Sequence, residues 1–272
     1  MDSHHISKPK CLPCRVCKGK ALFWFTKQII NNHMIAYYQC QECSHIQTEE
    51  PYWLKETYQN LNFQRDVGIV SRSIKTAQLS LALAWHLDMP PDEPCLDFGA
   101  GTGLLVRYCR DHGLNYYYDD LYSQNVFALG FEINCLKNPS GMRLVTAFEV
   151  FEHFPHPSKN IANILSYEPD YLLLSTALYK DQGIDWWYFL EDGQHVAVYT
   201  EKSLRMLGEQ FGYHLCSDAD YHLFSKEILP NRLIKKLRKN REAYAQRYKK
   251  RYGSKIDSDF RRFTNVGMSQ RG

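Results

Sequence analysis

Four cysteines near the amino terminus form two Cys-x2-Cys pairs. Cys14 and Cys17 make the first pair, Cys40 and Cys43 the second, and 22 residues separate them. Two such turns can present four thiolates to one ion, and zinc favours four-coordinate sulfur sites with bonds of about 2.3 Å. Four protein ligands leave no open position on the ion. The pattern therefore predicts a structural zinc site.

Cys11 leaves the pairing of the first turn open, because Cys11 and Cys14 have the same spacing as Cys14 and Cys17. We favour Cys14/Cys17, since Gly19 follows this pair where such a loop closes. A disulfide framework is disfavoured by the odd total of nine cysteines and by an amino terminus without an apolar export signal. Metal binding explains the clustering better than oxidation does.

A glycine-rich turn stands where a buried strand is expected to meet a helix. Asp97 lies near the end of the strand, and Gly99, Gly101 and Gly103 follow it with the spacing Gly-x-Gly-x-Gly. Glycines there let the main chain approach a ligand closely and leave amide donors at the start of the helix. The turn lacks the Lys-Ser/Thr of a phosphate-binding P-loop, so a different ligand is expected.

An acidic residue ends the next predicted strand. Asp120 lies 17 residues after Gly103, a distance that suits one helix and one strand. A carboxylate at this position can accept both hydroxyls of a ribose. Asp119 competes for the role, and Asp120 is favoured because Leu121 begins the following loop. The spacing alone also permits a dinucleotide-binding domain.

The turn and the acid resemble motif I and the following acidic position of class I S-adenosylmethionine-dependent methyltransferases. The resemblance implies that the turn wraps the amino-acid part of the cofactor and that the acid holds its ribose. It implies a set of cofactor-binding residues in this chain: Asp97, Gly99, Ala100, Gly101, Gly103, Asp120, Leu121 and Phe148.

Residues 146–157 contain the most specific motif of the chain. They resemble the Glu-Val-Leu-Glu-His-…-Pro signature of the methyltransferase branch that includes ubiquinone-pathway O-methyltransferases and deoxysugar C-methyltransferases. Residues 51–54 and 186–199 are similar to the same branch. With the cysteine lobe, about residues 11–225 resemble zinc-ribbon-bearing sugar C-methyltransferases. The resemblance implies a saccharide, nucleotide sugar or similar polar metabolite as methyl acceptor.

Glu149, Glu152 and His153 follow one another at positions i, i+3 and i+4. If the segment is helical, the three side chains share one face. His153 or Glu149 would then take a proton from the acceptor, or the three would hold a divalent ion that polarises an acceptor hydroxyl. His195 would join either arrangement, as a later histidine does with a metal in similar RNA-terminal 2′-O-methyltransferases. A helix cap and an interior imidazole are the purely structural alternatives.

From residue 95 onward, short apolar runs alternate with helical patterns. Such alternation predicts an α/β fold with a Rossmann-like, mostly parallel sheet. Residues 213–224 predict an antiparallel terminal hairpin, and the amino-terminal lobe adds a small zinc ribbon with strands near 21–25 and 35–39. Further strands are expected at 95–98, 116–118, 144–148 and 171–175, and helices at 104–112, 158–165 and 200–212.

The predicted organisation has four parts. They are a zinc-ribbon lobe (1–50), a helical connector (51–92), a Rossmann-like methyltransferase domain (93–225) and a basic helical tail (226–272). The tail has 15 Lys/Arg and 4 Asp/Glu, whereas the whole chain has a net charge of only +3. A helix over 230–252 would pack an apolar stripe on the body, or else bind RNA, an anionic membrane or an acidic substrate. Residues 253–272 have few apolar anchors and are expected to be disordered.

We therefore expect a cytoplasmic enzyme without a transmembrane segment that uses S-adenosylmethionine to methylate a carbon or hydroxyl. An Asp/Asn-Pro-Pro-Tyr/Phe motif, typical of amino-group methylation, is absent from the sequence. RNA ribose 2′-O-methylation through the basic tail and a non-catalytic binding module are the alternatives. The aromatic residues at 179 and 186–189 suit either stacking on a substrate or core packing.

Overall fold

The computed structural model describes residues 9–59 and 67–269. Its strands are β1 (Cys11–Pro13), β2 (Lys20–Gln28), β3 (Met34–Cys40), β4 (Ile46–Thr48), β5 (Pro94–Phe98), β6 (Asn115–Asp119), β7 (Leu144–Phe148), β8 (Tyr171–Ser175), β9 (Ala197–Val198), β10 (His214–Asp218) and β11 (Tyr221–Ser225). Its α-helices are α1 (Leu54–Gln59), α2 (Ile69–His86), α3 (Leu104–Asp111), α4 (Pro157–Leu165), α5 (Glu201–Glu209), α6 (Leu233–Tyr252) and α7 (Ile256–Ser269).

The chain forms two compact units, and each combines segments that are distant in sequence. The first unit contains Met1–Phe63, Glu149–Asn163 and Leu174–Ile228. The second contains Gln64–Phe148, Ile164–Leu173 and Leu229–Gly272. The strand β8 begins in the second unit and ends in the first.

An antiparallel five-stranded sheet with the order β1-β2-β3-β4-β9 organises the first unit. The expected strands near 21–25 and 35–39 lie within β2 and β3, which pair over most of their length and are offset by a bulge between Phe23 and Phe25. The sheet ends with β9, which pairs with β4 through Ile46↔Val198 and Gln47↔Ala197. Its apolar side belongs to a core built largely from aromatic and β-branched residues.

The same unit contains the predicted terminal hairpin. β10 and β11 are antiparallel, and the turn lies between the paired residues Asp218 and Tyr221. The preceding helix α5 is capped by Thr200, whose hydroxyl accepts the Ser203 amide hydrogen while the Ser203 hydroxyl accepts that of Thr200. This reciprocal cap explains why the sequence located the start of α5 correctly.

Parallel strands form the second unit. β5 pairs with β6 and with β7 in parallel, and the strand order is β8-β7-β5-β6. The helix α3 connects β5 to β6 and begins directly after the glycine-rich turn. Together with the ribbon and the hairpin, this arrangement confirms the predicted α/β fold class with a Rossmann-like, mostly parallel sheet.

The basic tail folds back as a helix that packs in the second unit. Its apolar stripe is buried and contacts α2, as the packing alternative predicted; the buried members are Leu233, Ile234, Leu237, Ala245 and Tyr248. The Tyr248 hydroxyl also donates to the Met89 carbonyl at 3.1 Å. Among the described residues, no helix has the length and apolar character that crossing a membrane requires.

The expectation of disorder after residue 253 was wrong for Ile256–Ser269, which form α7. The anchor is polar: the Asp259 carboxylate accepts hydrogen bonds of 2.7 and 2.8 Å from Arg110 and one of 2.8 Å from Arg107. Arg110 also lies over the Phe131 ring, 3.6 Å from its centroid. Burial raises the pKa of Asp259, but the hydrogen bonds from the two arginines outweigh burial and hold the pKa below its usual value.

We predict that Asp259→Ala lowers the free energy of unfolding by about 3 kcal/mol, because it leaves the buried Arg110 without its charged partner. Urea denaturation followed by circular dichroism measures this change. Asp257→Ala is the matched control, since Asp257 is exposed in the first turn of the same helix. Equal stability of the two variants would contradict the anchoring role of Asp259.

Candidate functional site

The structure brings the four predicted zinc-binding cysteines together in the first unit. Their sulfur atoms all lie within 4.8 Å of one another, with Cys14–Cys43 at 3.6 Å and Cys17–Cys40 at 3.4 Å. These separations exceed a disulfide bond of about 2.05 Å. Tetrahedral coordination with bonds of about 2.3 Å places sulfur atoms roughly 3.8 Å apart, so the cluster has nearly the right size for one ion. Cys11 is exposed and lies outside the cluster.

Main-chain geometry supports both cysteine turns. The Cys14 sulfur accepts the Val16 amide hydrogen, and the Cys40 sulfur accepts that of Glu42. The residue after each pair has a left-handed backbone: Lys18 after the first pair and Ser44 after the second. Gly19 stands where the first loop closes, as expected, because its carbonyl accepts the Cys14 amide hydrogen at 2.7 Å. It provides space, because a β-carbon there would lie 2.5 Å from the side-chain carboxyl carbon of the second turn's glutamate.

The glycine-rich turn and Asp120 are in direct contact in the second unit. The Gly101 amide donates to the Asp120 carboxylate at 2.8 Å. The amides of Gly99 and Ala100 donate to the Asp119 carbonyl at 2.8 and 3.2 Å. These amides are thus engaged within the protein and do not face a ligand as free donors, contrary to the sequence-based expectation. Hydrogen bonds to the next strand hold the turn in shape.

Gly101 shows where the turn is open. Its φ is +56°, a left-handed conformation, and a β-carbon built on it would meet nothing within 4 Å. Gly103, where α3 begins, is instead crowded, since a β-carbon there would lie 2.9 Å from that of Ala128. The turn therefore offers an open main-chain surface at its middle glycine, beside the Asp120 carboxylate.

The loop after β6 is fixed to this turn. The second carboxylate oxygen of Asp120 accepts the amide hydrogens of Tyr122 and Ser123 at 2.7 Å. The Tyr118 hydroxyl donates to the carbonyls of Gly101 and Ser123, both at 3.0 Å. Leu121 is 85% exposed. The Asp119 carboxylate has a different partner from that of Asp120, because it accepts the hydrogen bond of the Tyr167 hydroxyl at 2.9 Å.

Asp97 is a buried carboxyl at the end of β5. Thr146 donates to it at 2.7 Å. Burial raises the pKa of Asp97 to about 7, and the nearby negative charge of Asp120 acts in the same direction. The side chain therefore changes its charge near neutral pH. The remaining predicted cofactor residue, Phe148, is half-buried at the end of β7.

Glu149, Glu152 and His153 lie in the first unit, but not on one face of an α-helix. Phe151–His153 is a single 3-10 turn, and Glu149 has a left-handed backbone with φ +55°. The Ser175 hydroxyl donates to the Glu149 carboxylate and accepts the Glu149 amide hydrogen. The predicted grouping is therefore corrected: the carboxylate of Glu149 is directed to Ser175, a partner that sequence reasoning missed.

His195 completes a cluster with Glu152 and His153. One ligand atom from each of the three side chains lies within 4.8 Å of the other two. The imidazole rings are 5.1 Å apart, Nδ1 of His153 bonds to the Gln194 carbonyl at 3.2 Å, and Nδ1 of His195 bonds to the Tyr188 carbonyl at 2.9 Å. The structure thus unites three of the four predicted catalytic residues.

Burial controls the charges of this cluster. It lowers the pKa of His153 to about 4 and that of His195 to about 3, so both imidazoles are neutral at pH 7. Burial also raises the pKa of Glu152 to about 8, and the Glu149 charge adds to the rise. The hydroxyls of Thr176 and Tyr188, both missed as site residues, act in the opposite direction on the Glu152 pKa.

The ribbon positions His195. Val196 donates to the Glu152 carbonyl at 2.9 Å and accepts the Thr48 amide hydrogen at 3.1 Å, so Glu152 is bonded to the segment that enters β9. The Trp53 indole donates to the Gly193 carbonyl at 2.8 Å. A β-carbon on Gly193 would lie 2.4 Å from a methyl carbon of Ile29. Residues 51–54 and 193–195, two motifs noted in the sequence, are therefore in contact.

Most of the predicted aromatic set is core. Tyr179, Tyr188 and Phe189 are buried with ribbon residues, and Trp186 packs against them. Trp187 is 68% exposed and is the member of the set that remains open for stacking. The core-packing alternative therefore accounts for most of these rings.

A comparison of the sequence with models of known protein families finds a match to one family. Residues 72–217, just over half of the chain, match the family model described as "Methyltransferase domain". No curated protein sequence matches the chain.

Solved methyltransferase structures are similar at low identity. A magnesium protoporphyrin IX methyltransferase from Synechocystis PCC 6803, with bound S-adenosylhomocysteine, shares 16% identity, with 64% of this chain and 95% of that chain covered and a TM-score of 0.42. A 1,6-didemethyltoxoflavin-N1-methyltransferase from Burkholderia thailandensis shares 15% identity, with 74% and 97% covered and a TM-score of 0.45.

The raised pKa of Asp97 predicts a pH-dependent effect of Asp97→Asn. In the folded protein the carboxyl stays protonated up to about pH 7, whereas in the unfolded chain it ionises near pH 4. Wild-type stability therefore falls as the pH rises between these values. The asparagine variant avoids this loss, so its stability relative to wild type should rise by roughly 3 kcal/mol between pH 5 and pH 8. Urea unfolding at both pH values tests this, and a pH-independent difference would contradict it.

Proposed function

Because this chain belongs to the Methyltransferase domain family, we propose that it is an S-adenosylmethionine-dependent methyltransferase. Its acceptor is a carbon or hydroxyl of a saccharide, nucleotide sugar or similar polar metabolite. The observation that carries the proposal is the contact between Asp120 and the open face of Gly101. A carboxylate beside an uncovered main-chain surface suits the ribose and amino-acid parts of one nucleoside ligand.

The cofactor supplies an electrophilic methyl group on a positively charged sulfur. In this proposal Asp120 accepts the ribose hydroxyls, and Gly101 lets the ligand approach the main chain. Gly99, Ala100 and Gly103 shape the turn, and Asp97, Leu121 and Phe148 complete the set of contacts. Since the amides of the turn are already bonded within the protein, its shape exists before the ligand arrives, which reduces the entropic cost of binding.

The acceptor must lose a proton when it gains the methyl group. We assign this proton to His153 or Glu149. The imidazole of His153 is neutral at pH 7 because burial lowers its pKa to about 4, and the carboxylate of Glu149 is oriented by Ser175. Glu152 and His195 orient the acceptor. Alignment of the reacting groups supplies much of the remaining rate enhancement.

We further propose that Cys14, Cys17, Cys40 and Cys43 hold one structural zinc ion. The four sulfur atoms within 4.8 Å support this assignment, since four close thiols without an ion would gain little from their proximity. The ion would join the two cysteine turns and so stabilise the small ribbon.

Cys17→Ser should remove one zinc ion per chain and lower the melting temperature by roughly 10 °C or more, because a structural zinc ion stabilises a small lobe by many kcal/mol. Metal analysis by mass spectrometry and thermal unfolding measure both effects. Cys11→Ser is the control, since Cys11 lies outside the cluster. If Cys11→Ser also lost an ion, or Cys17→Ser kept it, the ligand assignment would be wrong.

Gly101→Ala should weaken S-adenosylhomocysteine binding at least about tenfold, or about 1.4 kcal/mol, because the new methyl group enters the proposed ligand space. Gly141→Ala is the matched control: Gly141 also has a left-handed backbone and open space around its β-carbon position. Both variants bear similar backbone strain. Isothermal titration calorimetry with S-adenosylhomocysteine on both variants distinguishes backbone strain from blocking of the ligand space. Equal affinities of the two variants for this ligand would overturn the proposed cofactor site.

The same calorimetric titration distinguishes the roles of the neighbouring acids Asp119 and Asp120 in cofactor binding. Asp120→Asn should lose affinity, whereas Asp119→Asn should retain it, because the Asp119 carboxylate bonds to Tyr167.

Turnover is tested with methyl-labelled S-adenosylmethionine and a pool of polar metabolites, with label appearing in a saccharide fraction. Label found in RNA, or none in any acceptor, would contradict the acceptor class.

The basic face of α6 is the observation that favours RNA as a rival acceptor. Lys235, Lys239 and Lys250 are exposed on this helix. Deletion of the tail is not a clean test, since α6 buries Leu237 and Tyr248. Replacement of the three lysines by glutamine leaves the packing intact. RNA binding that is present in wild type and lost in this variant would favour the rival.

A further inference from the structure

The side chain of Gln47 joins the first cysteine turn to the ribbon strand β4. Its amide oxygen accepts the Arg15 amide hydrogen at 2.7 Å, and its amide nitrogen donates to the Pro13 carbonyl at 3.1 Å. These two residues stand on either side of Cys14, and Gln47 itself is buried. One side chain therefore sets the position of the first cysteine turn relative to β4.

Main-chain bonds continue this path to the candidate site. Gln47 lies in the part of β4 that pairs with β9, and β9 begins two residues after His195. The Thr48 amide donates to the Val196 carbonyl at 3.1 Å, and the Val196 amide donates to the Glu152 carbonyl at 2.9 Å. The first cysteine turn is thus connected to the segment that holds His195.

A second path runs from the other cysteine turn through Tyr199. The Cys40 amide donates to the His45 carbonyl at 2.9 Å, and the His45 ring is fully buried 5.0 Å from the Tyr199 ring. The Tyr199 hydroxyl donates to the Phe151 carbonyl at 3.0 Å. Phe151 begins the 3-10 turn that ends at His153. The second cysteine turn is thus connected to the segment that holds His153.

The helix α5 bridges the two cysteine turns. Thr200, directly before it, donates its hydroxyl hydrogen to the Cys43 carbonyl at 2.8 Å. Gln210, directly after it, donates a side-chain hydrogen to the Val16 carbonyl at 2.9 Å. A change in the separation of the turns must therefore displace α5 or the segment before it, which contains β9 and Tyr199.

We propose that metal binding to the cysteine cluster positions the candidate catalytic imidazoles, with Gln47 and Tyr199 as the positioning residues. The inference rests on the zinc site and the methyl transfer proposed above. Thiolates that share one ion hold the two turns at one separation. Gln47 transmits this separation to His195, and Tyr199 transmits it to His153. Methyl transfer then depends on a metal that takes no part in its chemistry.

The tautomers of the imidazoles show whether the rings are in place. Nδ1 of His153 bonds to the Gln194 carbonyl at 3.2 Å, and Nδ1 of His195 bonds to the Tyr188 carbonyl at 2.9 Å. A carbonyl oxygen only accepts, so Nδ1 carries the hydrogen in both rings. Burial lowers their pKa values to about 4 and about 3, which keeps both rings neutral at pH 7. A ring that leaves its carbonyl acquires a mixture of tautomers.

Nitrogen magnetic resonance of the full-length protein, labelled at histidine, tests the coupling at pH 7. Removal of zinc by a chelator should change the tautomer ratio of His153 and His195 at least about fivefold, because each ring loses a hydrogen bond. His86 and His112, which lie in the second unit, should keep their signals. Loss of a signal in His153→Gln or His195→Gln assigns it.

Zinc-loaded variants test the two paths one at a time. Gln47→Met should change the tautomer ratio chiefly at His195, and Tyr199→Phe should change it chiefly at His153. A role confined to stability would lower the free energy of unfolding of both variants and leave the tautomers of the folded protein unchanged.

Gln39→Met and Tyr38→Phe are the matched controls on strand β3 of the same sheet. Gln39 is half-buried, and Tyr38 is buried with a hydroxyl that has no hydrogen-bond partner among the described residues. Both controls should keep the wild-type tautomers.

The proposal is overturned if zinc-loaded Gln47→Met and Tyr199→Phe keep the wild-type tautomers, or if the controls change them equally. Unchanged imidazoles in folded, zinc-free protein would also overturn it. Circular dichroism checks folding: if the zinc-free protein unfolds, the zinc-loaded variants decide, and if the variants do not fold, zinc removal decides.

Metal analysis and calorimetry with S-adenosylhomocysteine distinguish this inference from the proposed function. Zinc-loaded protein that binds the ligand but has uncoupled imidazoles contradicts only the coupling. Coupled imidazoles without ligand binding contradict only the methyltransferase assignment. Wild type that binds no zinc contradicts the zinc site and the coupling together.

Discussion

The pairing of β4 with β9 is the constraint on which the first unit depends. β4 would otherwise be the edge of the ribbon sheet, with unpaired main-chain groups. β9 covers that edge through Ile46↔Val198 and Gln47↔Ala197, and Val196 extends the contact to the Glu152 carbonyl. A ribbon near the amino terminus therefore fixes two candidate site residues that lie far along the sequence. The Thr200 hydroxyl adds to this, because it donates to the Cys43 carbonyl at 2.8 Å.

In the second unit, residues at the end of a parallel strand hold the glycine-rich turn in place. Adjacent acids at the end of β6 have separate tasks: the Asp119 carbonyl accepts two amides of the glycine-rich turn, and the Asp120 carboxylate accepts a third. The turn is thus held by one main-chain group and one side chain from the neighbouring strand. Its rigidity does not require a ligand. Such pre-organisation is a general route to affinity, because less freedom is lost on binding.

Local signals explain what the sequence predicted well. The strands of the parallel sheet, α3, α4 and the capped start of α5 carry their own periodicity or cap, and the structure has them within one residue of the predicted bounds. The helix α7 was missed because its anchor, Asp259 against Arg107 and Arg110, joins residues far apart in sequence. The left-handed backbone of Glu149 was missed for a related reason, since Ser175 stabilises it from another strand.

Glu149 and Glu152 show why residue types alone cannot assign roles at the candidate site. They are three residues apart and chemically identical, and the sequence grouped both with His153 on one helix face. Ser175 donates to Glu149, whereas Glu152 is buried beside two neutral imidazoles, where burial and the charge of Glu149 raise its pKa to about 8. Environments that separate two carboxyl groups in this way are how one site obtains two functions from one residue type. The division arises from tertiary contacts: β9 places His195 beside Glu152, and the end of β8 places Ser175 beside Glu149.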